Sequence, residues 1–350
     1  MRTKEELAFR VRQELANVWL LCSQPKPPRE APATPLEGWP SPEAARKAFR
    51  NGLGSETAEL ILAEAEGACD HRFSLLGLHR DAGPKINWRR DWLRNTETAL
   101  SYFRRIPYLD RNQAGDHKLI WELNRHQHLP LLAQAWLIRG DRKYLDAIWR
   151  DWSDWVEENP FQRGINWTSA LEVAFRVLSW LWVYHWVGGA WSEAKRARFW
   201  LEIYRHGLHL EFNLSRYFSP NTHLIGEAVA LHALGQAGGI DRWRRTGREV
   251  VLEAMKQQVR ADGSHLEQSS YYHLYSLDFF LFHHLREAAP PDYVEKLRRM
   301  TEFEMALEGP SERLPFLGDD DGGRVFFPYG QREKFGRATR ITAARVLGLE

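Results

Sequence analysis

Apolar residues recur with helical spacing through most of this 350-residue chain, and the strict alternation of a half-buried strand is scarce. From Lys118 onward the pattern is regular. It predicts helices over 117–139, 142–157, 167–187, 192–213, 222–236, 241–260, 270–287 and 291–307. Breakers separate them, among them "RGD" at 139–141, "NPFQRG" at 159–164, "FSPN" at 218–221 and "APPD" at 289–292. Connections of a few residues make successive helices antiparallel neighbours. No strictly repeated sequence accompanies them, which argues against a tetratricopeptide-type solenoid. The expected class is all-α, an incomplete (α/α) toroid whose inner helices line a groove.

Upstream the order is looser. A charged amphipathic helix, "MRTKEELAFRVRQEL", leads into the Pro-rich linker "QPKPPREAPATPLEGWPSP", short helices near 42–50 and 56–67, and an irregular stretch from about 69 to 96. Residues 1–96 are therefore expected to hold N-terminal helices, linker and loops, with the toroid over 97–310 and an exit segment over 311–350. The first helix lacks the continuous apolar core of a signal peptide. The most apolar run, "VLSWLWVYHWVGGAW", is too short and too polar-flanked to span a bilayer. As written, the chain is expected to be cytoplasmic, or periplasmic if a leader was removed.

A net charge of +2 with interspersed signs points to neither nucleic acid nor membrane as partner. Two cysteines, Cys22 and Cys69, make no disulfide framework. Sixteen tryptophans are unusual. Their first expected use is core filling between helices, and their second is stacking on sugar rings.

Four predicted helix starts share one vocabulary of polar and aromatic residues. "DHKLIWELNRHQHL" places Glu122, Arg125 and His126 at i, i+3 and i, i+4, hence on one face. "GINWTSALEVAFR" opens with Asn166 and Trp167 and continues with Glu172 and Arg176; a buried Arg176 would want a carboxylate, from Glu172 or from a ligand. "SPNTHLIGE" offers Asn221 and His223, and "DGSHLEQSSYYHLYSLD" offers Glu267, Gln268, Tyr271 and Tyr272. A common cleft is expected, with Glu122, Arg125, His126, Asn166, Trp167, Glu172, Arg176, Glu267, Gln268 and Tyr271 as substrate contacts.

No HExxH, CxxC or comparable metal-ligand spacing accompanies the 14 histidines, and phosphate loops and hydrolase elbows are lacking, so neither metal nor cofactor is expected. Paired carboxylates for glycoside hydrolysis, drawn from Glu122, Glu172, Glu227 and Glu267, stay open. So does a non-catalytic carbohydrate-binding role. An Asn, a His and a Tyr at neighbouring helix mouths suit a different reaction better: β-elimination on a uronic-acid polysaccharide. That reaction needs the C6 carboxylate neutralised, the C5 proton removed and the departing O4 protonated. An amide can stabilise the enolate-like charge, while His and Tyr can move protons.

"DHKLIWELNRHQHL", "NPFQRGINWTSALEVAFRVLSWLW", "SPNTHLIGEAVAL", "DGSHLEQSSYYHLYSLD" and "LPFLGDDDGGRVF", in that order from about residue 70 to 330, resemble the heparinase II/III-like polysaccharide lyases. The loop "INWRRDW" resembles the Trp-and-Asp loop found ahead of the toroid in that family. The resemblance implies an (α/α) toroid followed by a β-sandwich, and an acidic polysaccharide such as heparin, heparan sulfate or alginate as partner. By position it implies that Asn221 neutralises the carboxylate, with His223 beside it, and that Tyr272 is the catalytic tyrosine, Tyr271 being the alternative register. Thr222 stands between Asn221 and His223, where many relatives have Asn directly before His. No β-rich stretch is read before Glu350, so 311–350 is expected to lead toward a missing sandwich and the second catalytic His it would carry.

Overall fold

The computed structural model describes residues 3–51, 55–325 and 336–349. Among them, helices α1 (Lys4–Ser23), α2 (Pro42–Asn51) and α3 (Ser55–Cys69) precede two short antiparallel hairpins. These are β1 (Arg72–Leu75) with β2 (Leu78–Asp81), paired Arg72 to Asp81, and β3 (Arg90–Asp91) with β4 (Thr96–Glu97). The rest is helical: α4 (Arg111–Ala114), α5 (His117–Asn124), α6 (His128–Arg139), α7 (Arg142–Glu158), α8 (Ala170–Val187) and α9 (Glu193–Asn213). Then come α10 (Thr222–Ala237), α11 (Asp241–Gln258), α12 (Ser270–Arg286), α13 (Pro291–Glu308) and α14 (Gly336–Leu347). The all-α expectation holds. The two hairpins lie where the sequence suggests only loop, and α14 lies in the expected exit segment.

Packing divides the chain into two compact units, residues 1–217 and 218–350, so the division falls inside the stretch 97–310 read from sequence as one toroid. In the first, α8 is buried along nearly its whole length, as its run of apolar residues requires. Against it pack one-sided helices such as α7, which buries Tyr144, Ala147, Ile148, Asp151, Trp152 and Trp155 at helical spacing. Most tryptophans serve this core: Trp155 meets Trp180 with ring centroids 5.5 Å apart and Trp167 at 6.2 Å. The Trp-and-Asp loop knits it together. Trp88 Nε1 donates to Asp154 at 2.7 Å, and buried Asp91 accepts from the Asp116 backbone N–H at 2.7 Å.

One expected helix is two. The run 117–139 breaks because Asn124 folds back on the Ile120 carbonyl at 2.7 Å and His126 adopts φ +57°. The buried His126 ring accepts from Trp180 Nε1 at 2.9 Å, which holds it out of helical register. Pro130 then falls in the first turn of α6, where its missing N–H costs nothing.

In the second unit, α10 packs on α11 and α12, and α12 on α13 and α14. Close approach depends on small residues. A Cβ on Gly263, at φ +87°, would stand 2.2 Å from the Arg299 carbonyl oxygen. Phe326, which ends the "LPFLGDDDGGRVF" motif, lies outside the described residues.

Candidate active site

The four expected helix mouths divide between the units, those of α5 and α8 in the first and those of α10 and α12 in the second. In the first unit the polar residues satisfy one another. Arg125 donates to both oxygens of Glu172, at 2.6 and 2.9 Å, and to Glu122 at 2.5 Å, while its guanidinium lies 4.8 Å from the centroid of the Phe175 ring. Arg125 and Glu172 are buried and Glu122 is partly so.

Arg176 is fully buried, but Glu172, the partner its i, i+4 spacing suggests, accepts from Arg125 and not from it. It donates to His206 Nε2 at 3.1 Å and to the carbonyls of Asn124 and Asn166 at 3.1 and 2.5 Å, between the faces of Trp155 and Trp167. Burial lowers its pKa to about 9, which leaves it charged at neutral pH. Asn166, Trp167 and His126 are fully buried as well. Asn166 donates to Asn159 at 2.8 Å and to the Trp88 carbonyl at 3.1 Å. These four residues are core, a correction to their expected place as substrate contacts. His126, outside the helix, does not share a face with Glu122.

The second unit brings together more of the expected chemistry. Asn221 caps α10: its Oδ1 accepts from the His223 backbone N–H at 3.2 Å. Its Nδ2 donates to Glu267 at 2.8 Å. The other Glu267 oxygen accepts from the Thr222 backbone N–H at 3.1 Å and from the Thr222 hydroxyl. A carboxylate at a helix N-terminus is favoured by the exposed N–H groups and the dipole. His223 lies half-buried in the first turn of α10.

Ser269 caps α12 by accepting from the Tyr272 backbone N–H at 3.2 Å. The segment 315–321 crosses that mouth. Ser270 donates to the Pro315 carbonyl at 2.5 Å and Ser269 to the Asp319 carbonyl at 2.6 Å. Gly318 is required there at φ +75°, because a Cβ would stand 2.8 Å from Ser269 Cβ. The crossing brings Asp321 to the Tyr272 hydroxyl, which donates to it at 2.6 Å. Burial, that bond and the charges of Asp321, Asp319 and Glu267 all push the Tyr272 pKa far up, so its phenol keeps its proton.

Of the two candidate tyrosines, Tyr272 is half-exposed, whereas Tyr271 packs with Leu274 and Leu314. Gln268, at φ +54°, is exposed, and its amide oxygen, turned toward Arg260, accepts from both terminal nitrogens at 2.8 Å. Sequence reasoning missed Asp321 and noted Thr222 only as the residue between Asn221 and His223. The "GDDDGG" turn was a signal for the first.

The sequence model described as heparinase II/III N-terminus matches residues 55–325, and the chain belongs to that family. It is 28% identical over 207 residues to a heparin-sulfate lyase of Bacteroides thetaiotaomicron, covering 54% of this chain and 29% of that one. A heparin-sulfate lyase of Pedobacter heparinus is 26% identical over 222 residues, covering 58% and 33%. The chain thus spans about a third of the length of the curated relatives it matches.

Among solved structures, a heparinase III aligns with TM-score 0.58 at 21% identity, over 91% of this chain and 46% of that one. A mutant of the heparan sulfate lyase HepC from Pedobacter heparinus aligns with TM-score 0.54 at 23% identity, over 97% and 49%. These likenesses show the fold, the (α/α) toroid class expected from the sequence. Among the described residues, no helix is long and apolar enough to cross a membrane, and no group of three or more His, Cys, Asp or Glu is placed to hold a metal ion.

Proposed function

We propose that this chain is the helical portion of a polysaccharide lyase that cleaves a uronate-containing polymer, of the heparan sulfate type, by β-elimination. The observation that carries the reading is the pair of helix mouths in the second unit, where Asn221 and Tyr272 are each fixed by a carboxylate. The Asn221 N–H donates to the C6 carboxyl group and stabilises the charge that develops there. One such preorganised donor is worth about 10²–10³ in rate. His223 takes the C5 proton. The electron pair of that bond passes through the enolate-like carboxyl group into the new C4=C5 bond as the C4–O4 bond breaks. Tyr272, which burial and its anionic surroundings keep protonated, gives O4 its proton.

The hydrolase alternative is less well supported. Glu122 and Glu172 are both engaged by Arg125, and Glu227 is fully buried. Digestion of a panel of uronate polymers separates the readings. A lyase raises ultraviolet absorbance from the conjugated C4=C5 bond as chains shorten. Reducing ends without absorbance would identify a hydrolase, and binding with neither would identify a carbohydrate-binding module.

A further inference from the structure

Asn221 is held by more than its capping bond. Its Oδ1 is taken by the His223 N–H and one Nδ2 hydrogen by Glu267, so the amide cannot flip without losing both bonds. Among the described residues its second N–H meets no acceptor and can be aimed elsewhere. Glu267 is itself pinned. Thr222 donates to it from backbone and hydroxyl, and its own backbone N–H donates to His265 Nδ1 at 3.4 Å. The buried His265 ring bonds Gln258 Oε1 at 3.1 Å, and Gln258 Nε2 donates to the Pro220 carbonyl at 3.1 Å. Pro220 directly precedes Asn221, so the chain of bonds closes on itself.

We infer that Glu267 is a positioning residue, which fixes the Asn221 amide plane and directs its remaining N–H at the uronate carboxyl group. The inference rests on the lyase reading above. A free amide rotor would spend part of its time presenting its oxygen to the substrate carboxylate, a repulsive arrangement. The clamp removes that orientation. Glu267 therefore acts through Asn221, and not as the substrate contact the sequence suggested.

Glu267→Ala should lower kcat by about 10–10²-fold with little change in KM, since misplacing a catalytic group by about 1 Å can cost 10²-fold. Glu267→Gln, which keeps one acceptor oxygen, should recover part of that loss. Wild-type kcat in Glu267→Ala would overturn the inference. So would a fall in KM at unchanged kcat, which would mean that Glu267 had been occupying the place of the substrate carboxylate.

A second readout needs no turnover. In nitrogen-15 NMR of the wild-type chain, the two Asn221 side-chain amide protons should be distinct, the one bonded to Glu267 should be slow to exchange, and Glu267→Ala should abolish that protection. An Asn221 amide exchanging like that of an exposed asparagine in the wild type overturns the clamp. If no uronate polymer yields unsaturated product, the lyase reading falls, while the amide measurement still decides whether Glu267 holds Asn221.

Discussion

Replacing Glu172 by Gln tests whether the polar cluster of the first unit is structural or meets substrate. Glu172 accepts two bonds from Arg125, at 2.6 and 2.9 Å, and each side chain is 3–4% exposed. The substitution removes two of the charge-assisted bonds to the buried guanidinium and leaves its bond to the partly buried Glu122. Removing one partner of a buried pair costs about 3–5 kcal/mol, because the surviving charge stays desolvated. Against a total stability of about 5–15 kcal/mol, that is a large fraction. Urea unfolding followed by tryptophan fluorescence should show a much lower midpoint for Glu172→Gln and for Arg125→Met. Their combination should be less damaging than the two singles added, since the second change removes the charge that the first strands. Singles within about 0.5 kcal/mol of wild type, the range of ordinary surface changes, would mean that the pair does not hold the fold together. A raised KM with unchanged stability would return these residues to the substrate.

Tyr272→Phe keeps the ring and removes the proton, so kcat should fall by about 10²–10⁴-fold; a wild-type rate would remove Tyr272 from the mechanism. Asp321→Asn removes the carboxylate that holds the Tyr272 proton, so the alkaline limb of the kcat/KM profile should move to lower pH. Burial lowers the His265 pKa to about 3, against an ordinary 6.5. The unfolded chain therefore binds more protons between those values, and stability present above pH 6.5 is lost as pH falls. This one group should cost about 2 kcal/mol at pH 5, measurable by urea unfolding as a smaller pH dependence in His265→Gln. Glu304 has the opposite sign. Burial and neighbouring Glu308 raise its pKa well above the ordinary carboxylate range, so its penalty grows as pH rises above its unfolded value, and Glu304→Gln should stabilise the protein at pH 8 in thermal unfolding.

Helix starts and stops were readable from Pro, Gly and Asn breakers, because these residues act locally. Asn221 and Ser269 cap the helices they precede. The break at 125–127 was not read, although Pro130 marked a helix start just before it. The polar partners were hidden for a different reason. Glu267 reaches Asn221 from 46 residues away and Asp321 reaches Tyr272 from 49, and no local pattern records such pairings. Arg176 shows the limit of spacing arguments: its i, i+4 neighbour Glu172 turns to Arg125, and carbonyls and a histidine take its place. Trp167 and His126 were drawn into the expected cleft by residue type, yet packing between helices claimed both.

Elimination and hydrolysis differ by one molecule of water, so the mass of the products separates them. A defined heparan sulfate oligosaccharide is incubated with the chain in oxygen-18 water, and the fragments are weighed. Elimination adds no water, so the fragment masses should sum to that of the substrate, with no heavy oxygen in either piece and an unsaturated uronate at the new non-reducing end. Fragments heavier in total by one water, carrying oxygen-18, would mean that the bond is hydrolysed.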